Sequence, residues 1–89
     1  MAKRKKIYQL PMKTLKPGDK GLAVMQLQQT LDHILKYKGK NRLLLREPGF
    51  YGIGTSAAVY SFCDQNDIRC TFDFDISTRN KLREVLHAD

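Results

Sequence analysis

Side chains able to serve as nucleophiles, bases or metal ligands are few in this sequence. The two histidines, His33 and His87, and the two cysteines, Cys63 and Cys70, fall in no metal-ligand spacing: there is no Cys-x-x-Cys and no His-Glu-x-x-His. A nucleophilic Cys63 would need a base partner and a lowered pKa, and the sequence around it supplies neither. Nine Asp and Glu side chains are enough in number for paired-carboxylate chemistry on a glycosidic bond, but 89 residues leave little cleft in which one pKa could be raised. The expectation is a chain with no catalytic residues, no metal site and no cofactor. Cys63 and Cys70 either close a short disulfide loop or stay free, and the place of Cys63 on a helical face favours a buried free thiol. His33 reads as a residue on the polar face of a helix.

Charge is the stronger signal. Net charge is +7, and its distribution is lopsided. Residues 1–47 hold twelve Lys and Arg against three Asp and Glu, whereas residues 48–89 hold four against six. Such a basic half draws polyanions: nucleic acid, anionic lipid or anionic polymers of a cell wall. It also serves solubility. No apolar run approaches the ~18 residues of a membrane span. Met1–Lys6 is basic like the start of an export signal, but Ile7–Pro11 is too short and too polar for the apolar segment that must follow. The expectation is a chain without an export signal of its own. It would be cytoplasmic until released by lysis, or act in the wall or outside the cell as part of a larger protein.

The elements that must position any binding residues centre on Gly49–Phe62, a turn that becomes a helix. The turn Tyr51-Gly52-Ile53-Gly54-Thr55, followed by Val59, recurs 23 residues later as Phe74-Asp75-Ile76-Ser77-Thr78, followed by Leu82. Each copy has an aromatic, a capping position, Ile, a small residue, Thr, and an apolar residue four further on. These read as two related turn-to-helix units. Ahead of them, Leu15–Gly21 is a Pro-Gly turn in which Asp19 is expected to cap the first helix. That helix is predicted from about Lys20 to Leu35, with Val24, Leu27, Leu31 and Leu35 on one apolar stripe beside Ile34, and Gln26, Gln28, Gln29 and Asp32 on the other faces. The second helix is predicted from about Gly54 to Gln65, and the third from Asp75, as its cap, to about His87. The third carries a Leu82, Val85, Leu86 stripe and turns Arg79, Lys81, Arg83 and Glu84 outward. Between the first two lies a basic loop, residues 36–48, holding the apolar run Leu43-Leu44-Leu45, which is either a short strand or turn packed on the core or an exposed contact patch; packing is favoured. In residues 66–74 the alternation of Cys70, Phe72 and Phe74 suggests an extended piece. Residues 1–13 are expected to be a flexible basic arm, with Ile7, Tyr8 and Leu10 docking back, and residues 14–89 a compact all-α three-helix domain.

On these residues the chain resembles a known family, the three-helix peptidoglycan-binding domain appended to bacterial and phage wall hydrolases. The family's first-helix pattern, Gly, Asp or Ser, any residue, Gly, then Val, Leu-Gln and Leu, is met by Gly18, Asp19, Gly21, Val24, Leu27, Gln28 and Leu31. Its second motif, Asp-Gly-x-Phe-Gly-x-x-Thr followed by Ala-Val and Phe-Gln, is similar to Pro48-Gly49-Phe50-Tyr51-Gly52-Ile53-Gly54-Thr55 with Ala58-Val59 and Phe62-Cys63. Its third unit is similar to Asp75–Thr78 before Leu82. The match covers about residues 15–86. Pro48, Tyr51, Cys63 and Asp75 depart from the pattern, and the loop 36–48 is longer and more basic. The motif positions are expected to be structural: Val24, Leu27, Leu31, Val59, Phe62 and Leu82 as core, Gly18, Gly21, Gly49 and Gly52 in turns, Thr55 and Thr78 at helix starts.

The resemblance implies a shallow groove near the turn-to-helix units that holds the glycan or stem peptide of bacterial peptidoglycan. Such ligands call for aromatic faces and hydrogen-bond donors. The candidates are Tyr37, Tyr51 and Tyr60, with Arg46 or Arg79 for stem-peptide carboxylates. The implied role is a module, with none of the catalysis its own, that targets a fused or associated hydrolase to the wall, with anionic wall polymers as further partners. Two other readings stand beside it: a phage or secretion-machine interaction module on the same fold, and a basic regulator that binds nucleic acid, disfavoured because the basic residues sit in loop and tail rather than on one helix.

Overall fold

The computed structural model describes residues 10–87. It is all-α, as expected. The element order is α1 (Leu22–Leu35), a 3-10 turn (Gly39–Asn41), α2 (Leu43–Arg46), α3 (Ile53–Gln65) and α4 (Ile76–His87). The three long helices match the predicted ones to within two residues. The run Leu43–Leu45 is resolved as the helical turn α2: Leu43 is buried in the core, Leu44 is half-buried and Leu45 is exposed.

The core follows from the apolar periodicities. Val24, Leu27 and Leu31 of α1, Val59 and Phe62 of α3, and Leu82 of α4 are all buried, with Leu15, Leu43, Tyr51, Ala58, Cys63 and Phe74 closing the gaps between them. Burying a Leu or Phe side chain fully is worth roughly 1.5–3 kcal/mol. Leu35, Ile34 and Val85 pack on this core while only partly buried. Leu10 docks on the core as expected; Ile7 and Tyr8 lie outside the described residues. Both cysteines are free, and Cys63 is buried, its Sγ 3.6 Å from Thr78 Oγ1.

The internal repeat is real in three dimensions. Tyr51 and Phe74 are both buried, as are Thr55 and Thr78, and Val59 and Leu82, while Ile53 and Ile76 are both exposed. One stretch, residues 15–21, latches the two units side by side. Leu15 exchanges backbone hydrogen bonds with Phe74 at 3.0 and 2.8 Å. Gly18 N donates to Tyr51 O, Tyr51 N to Asp19 O, and Gly21 N to Gly49 O, each at 2.9 Å. Gly18, Gly21 and Gly49 take positive φ of 99°, 120° and 76°, which residues with a Cβ avoid.

Three local expectations are corrected. Asp19 does not cap α1: Gly21 occupies the cap position, and Asp19 Oδ2 instead accepts from Lys16 N at 3.0 Å, closing its own turn. Gln28 and Asp32, on the faces away from the apolar stripe, are nonetheless buried. Arg79 does not face outward but is buried, with one guanidinium nitrogen 3.1 Å from Met12 Sδ. Phe72 and Phe74 do not share a face, since Phe74 is buried and Phe72 exposed; a single bridge to Leu15 replaces an extended piece.

The two helix starts solve one problem in two ways. In α4, Asp75 Oδ1 accepts from Thr78 N at 2.9 Å and from Thr78 Oγ1 at 3.0 Å, the capping expected of it. In α3 the equivalent position is Gly52, which has no side chain to offer. The carboxylate comes from Glu47: its Oε1 accepts from Thr55 N and, at 2.8 Å, from Thr55 Oγ1. The glycines make room for it. A Cβ on Gly52 would collide with Glu47 Oε2, and one on Gly54 would lie 2.9 Å from Oε1. Gly52 is thus required by a neighbour rather than by its own φ of −101°. Gln28 then locks the turn to α1, its Nε2 reaching Glu47 O at 2.7 Å, Phe50 O at 2.9 Å and Thr55 Oγ1 at 3.1 Å, while its Oε1 accepts from Gly49 N at 2.8 Å.

Two outcomes follow. Glu47→Ala should cost about 1–3 kcal/mol in urea unfolding, and adding Gly52→Asp, which copies the Asp75 cap, should recover most of that loss; a double variant no more stable than the single one would refute the equivalence of the two starts. Tyr51 is buried, and its hydroxyl donates to Phe72 O. Burial, helped by the nearby Asp73, pushes its phenol above the ordinary value. Tyr51→Phe should cost about 1–2 kcal/mol at neutral pH. The neutral phenol is favoured by folding, so its contribution is complete below ~10 and declines as pH rises past that value. The stability gap between wild type and Tyr51→Phe should therefore narrow as pH rises from about 10 to 11; a constant gap would contradict it.

Candidate functional site

The turn that Glu47 and Gln28 hold does more than start α3. It places Phe50 and Ile53 at the surface, beside Ser56 and Ala57 from the first turns of the helix. Pro17 and Gly18 of the latch form one wall, and Phe72 forms the other. Together they bound a shallow groove of about 380 Å³. Its lining includes no Asp, Glu, Lys or Arg. Ile53 is 89% exposed and Phe72 55%, with Phe50 and Tyr60 near 43% and 42%. Exposed apolar side chains gathered around one concavity on a small domain make it the candidate contact site.

The aromatic wall is fixed from two sides. The Phe72 ring stacks on Tyr60 of α3, centroids 5.1 Å apart and planes 26° from parallel. The Phe72 carbonyl accepts the Tyr51 hydroxyl from inside the core. A partly exposed pair of stacked rings suits the C–H face of a sugar or an apolar peptide side chain. Cys70 lies against the Tyr60 phenol and, through its own charge when ionised and their hydrogen bond, raises the phenol above its ordinary value.

The five residues proposed from sequence do not converge. Tyr60 lies outside the groove lining but stacks on Phe72, which is part of it. Tyr51 borders the groove but is fully buried, so it positions Phe72 rather than presenting a face. Arg79 is buried against Met12, and Arg46 is exposed at the end of α2, neither of them in the groove lining. Tyr37 lines a separate depression of about 450 Å³ with Gln29, Asp32, His33, Lys36, Lys38, Gly39 and Arg42. Phe50, Ile53 and Phe72 were not picked out as ligand contacts in the sequence. Ile53 did carry a signal, since apolar residues at the first position of both helices lie off the core stripe. Among the described residues no group of three His, Cys, Asp or Glu side chains could hold a metal ion, and no helix is long and apolar enough to cross a membrane.

No protein-family model and no curated protein matches the chain. Among solved structures, the crystal structure of the SleB N-terminal domain superposes with a TM-score of 0.71, covering 88% of this chain and 99% of that one at 22% identity. The likeness at that identity is one of fold: this chain has the all-α architecture of the SleB N-terminal domain across essentially the whole of it.

Proposed function

We propose that this chain is a binding module for bacterial peptidoglycan, without catalysis of its own, that brings a fused or associated hydrolase to the cell wall. The carrying observation is the uncharged aromatic groove at the start of α3, built by the turn that also bears the Gly49–Thr55 motif. The motif resemblance and the fold likeness to the SleB N-terminal domain support the same reading. The ligand lies along the groove with a glycan face or an apolar part of the stem peptide on Phe72, and Phe50 and Ile53 flank it. Its place of action is the wall.

Because no charge lines the groove, binding to purified, polymer-stripped peptidoglycan should persist from low salt to about 0.3 M, where screening acts within a few ångströms. In co-sedimentation, Phe72→Ala should weaken binding roughly two- to ten-fold, the worth of one aromatic contact, and Ile53→Ser should do the same, with melting temperatures close to wild type. Retention of full binding by both would remove the groove as the site. One feature favours a second reading, an interaction module for a phage or secretion machine: Arg46 and Arg79, the cations suited to a stem-peptide carboxylate, are not in the groove lining. Failure to sediment with peptidoglycan at either salt, with the fold intact, would select it.

A further inference from the structure

The second depression has a chemistry opposite to the first. It lies where α1 ends and the 3-10 turn begins, and it shares no lining residue with the aromatic groove. Lys36, Lys38 and Arg42 are among its lining residues, as is His33. Among the described residues none of Lys36, Lys38 and Arg42 makes an ion pair; the ion pair present joins Lys81 and Glu84. The one acid in the lining, Asp32, is buried, and its two carboxylate oxygens accept from Leu43 N at 2.7 Å and Leu44 N at 3.2 Å. Those oxygens are thus engaged at the start of α2, and Lys36, Lys38 and Arg42 outnumber this one buried carboxylate in the lining. A cation at the C-terminal end of a helix complements its dipole, which accounts for Lys36. It does not account for Lys38 and Arg42, which arrive from beyond the helix to the same concavity.

Lys36 is informative for a second reason. It is the C-cap of α1, in the left-handed conformation at φ 58° and ψ 40°. Glycine is the residue that costs least there. The chain instead carries a lysine whose side chain borders the depression.

We infer that this depression is an anion site for a phosphodiester polymer of the polyol-phosphate type, engaged by Lys36, Lys38 and Arg42. The choice of a wall polymer over other polyanions rests on the wall reading above. The depression also lacks the stacking platforms that single-stranded nucleic acid uses: its one aromatic, Tyr37, packs partly into the core. The two sites would grip different components of one wall, the groove without regard to salt and the depression with strong dependence on it.

The probe is a short, end-labelled poly(glycerol phosphate), titrated by fluorescence anisotropy. Wild type should bind it with a log-affinity against log-salt slope of about −2, as expected for three cations on a flexible chain. Lys38→Gln and Arg42→Gln should each weaken binding roughly two- to five-fold, and the two combined with Lys36→Gly by about tenfold or more. Lys36→Gly alone should weaken binding while leaving the melting temperature unchanged or higher, because glycine relieves the left-handed cap. That opposition separates binding from folding. Phe72→Ala should bind the polymer as wild type does, and the triple variant should still sediment with stripped peptidoglycan, so failure of the groove and failure of the anion site read out separately. Polymer binding unchanged in the triple variant would overturn the assignment. So would equal or tighter binding of a single-stranded oligonucleotide of matched charge.

Discussion

A carboxylate brought from outside the helix it caps is the interaction on which the rest of this small domain depends. Glu47 accepts from the backbone and hydroxyl of Thr55, Gln28 bonds the same hydroxyl and the carbonyls on either side of the turn, and Gly52 and Gly54 keep the space open. The helix N-terminus favours negative charge, and the buried amide of Gln28 satisfies groups that the sharp turn would otherwise strand. Through these bonds α1, the turn and α3 become one rigid unit. Phe50 and Ile53 reach the surface because the backbone beneath them has no freedom to collapse inward.

The repeat explains why two such units fit together. Each buries an aromatic, a threonine and an aliphatic residue at matching positions, and each accepts backbone pairing from the latch at residues 15–21. The second unit closes its cap locally through Asp75. The first cannot, having Gly52 there, and so borrows Glu47. That borrowing couples the start of α3 to the end of α2, and hence to the basic loop. Asp32 completes the chain of dependence by holding the start of α2 from within α1. Two buried polar side chains of α1 that lie off its apolar stripe, Asp32 and Gln28, thus carry the connections that the stripe could not make.

The resulting surface divides its chemistry. Uncharged aromatic and aliphatic groups gather where the turn meets α3; cations gather where α1 meets the loop. Tyr51 sits under the first without touching solvent and acts through its hydrogen bond to the Phe72 carbonyl. A phenol at that position gains a polar anchor that phenylalanine lacks, and through it the core dictates where an exposed ring stands.

Periodicity and local chemistry determined much of this protein by themselves. The α1 stripe, the two turn-to-helix units, the Asp75 cap and the buried free Cys63 were all legible, because each rests on neighbours within a few residues. What sequence could not settle depends on partners far along the chain. Asp19 has the type of a cap, yet the backbone turns before α1 begins. Arg79 has the type of a solvent residue, yet α4 rolls it inward. The groove was least legible of all: Tyr51 and Phe72 are both aromatics in or beside a repeat unit, and only packing decides that one ring fills the core while the other stands in solvent. Spacing tells which residues share a helical face. Which face meets the core, and which carboxylate crosses 8 residues to reach Thr55, is decided by tertiary structure, because burial and hydrogen bonding are won by whichever group the whole fold brings near.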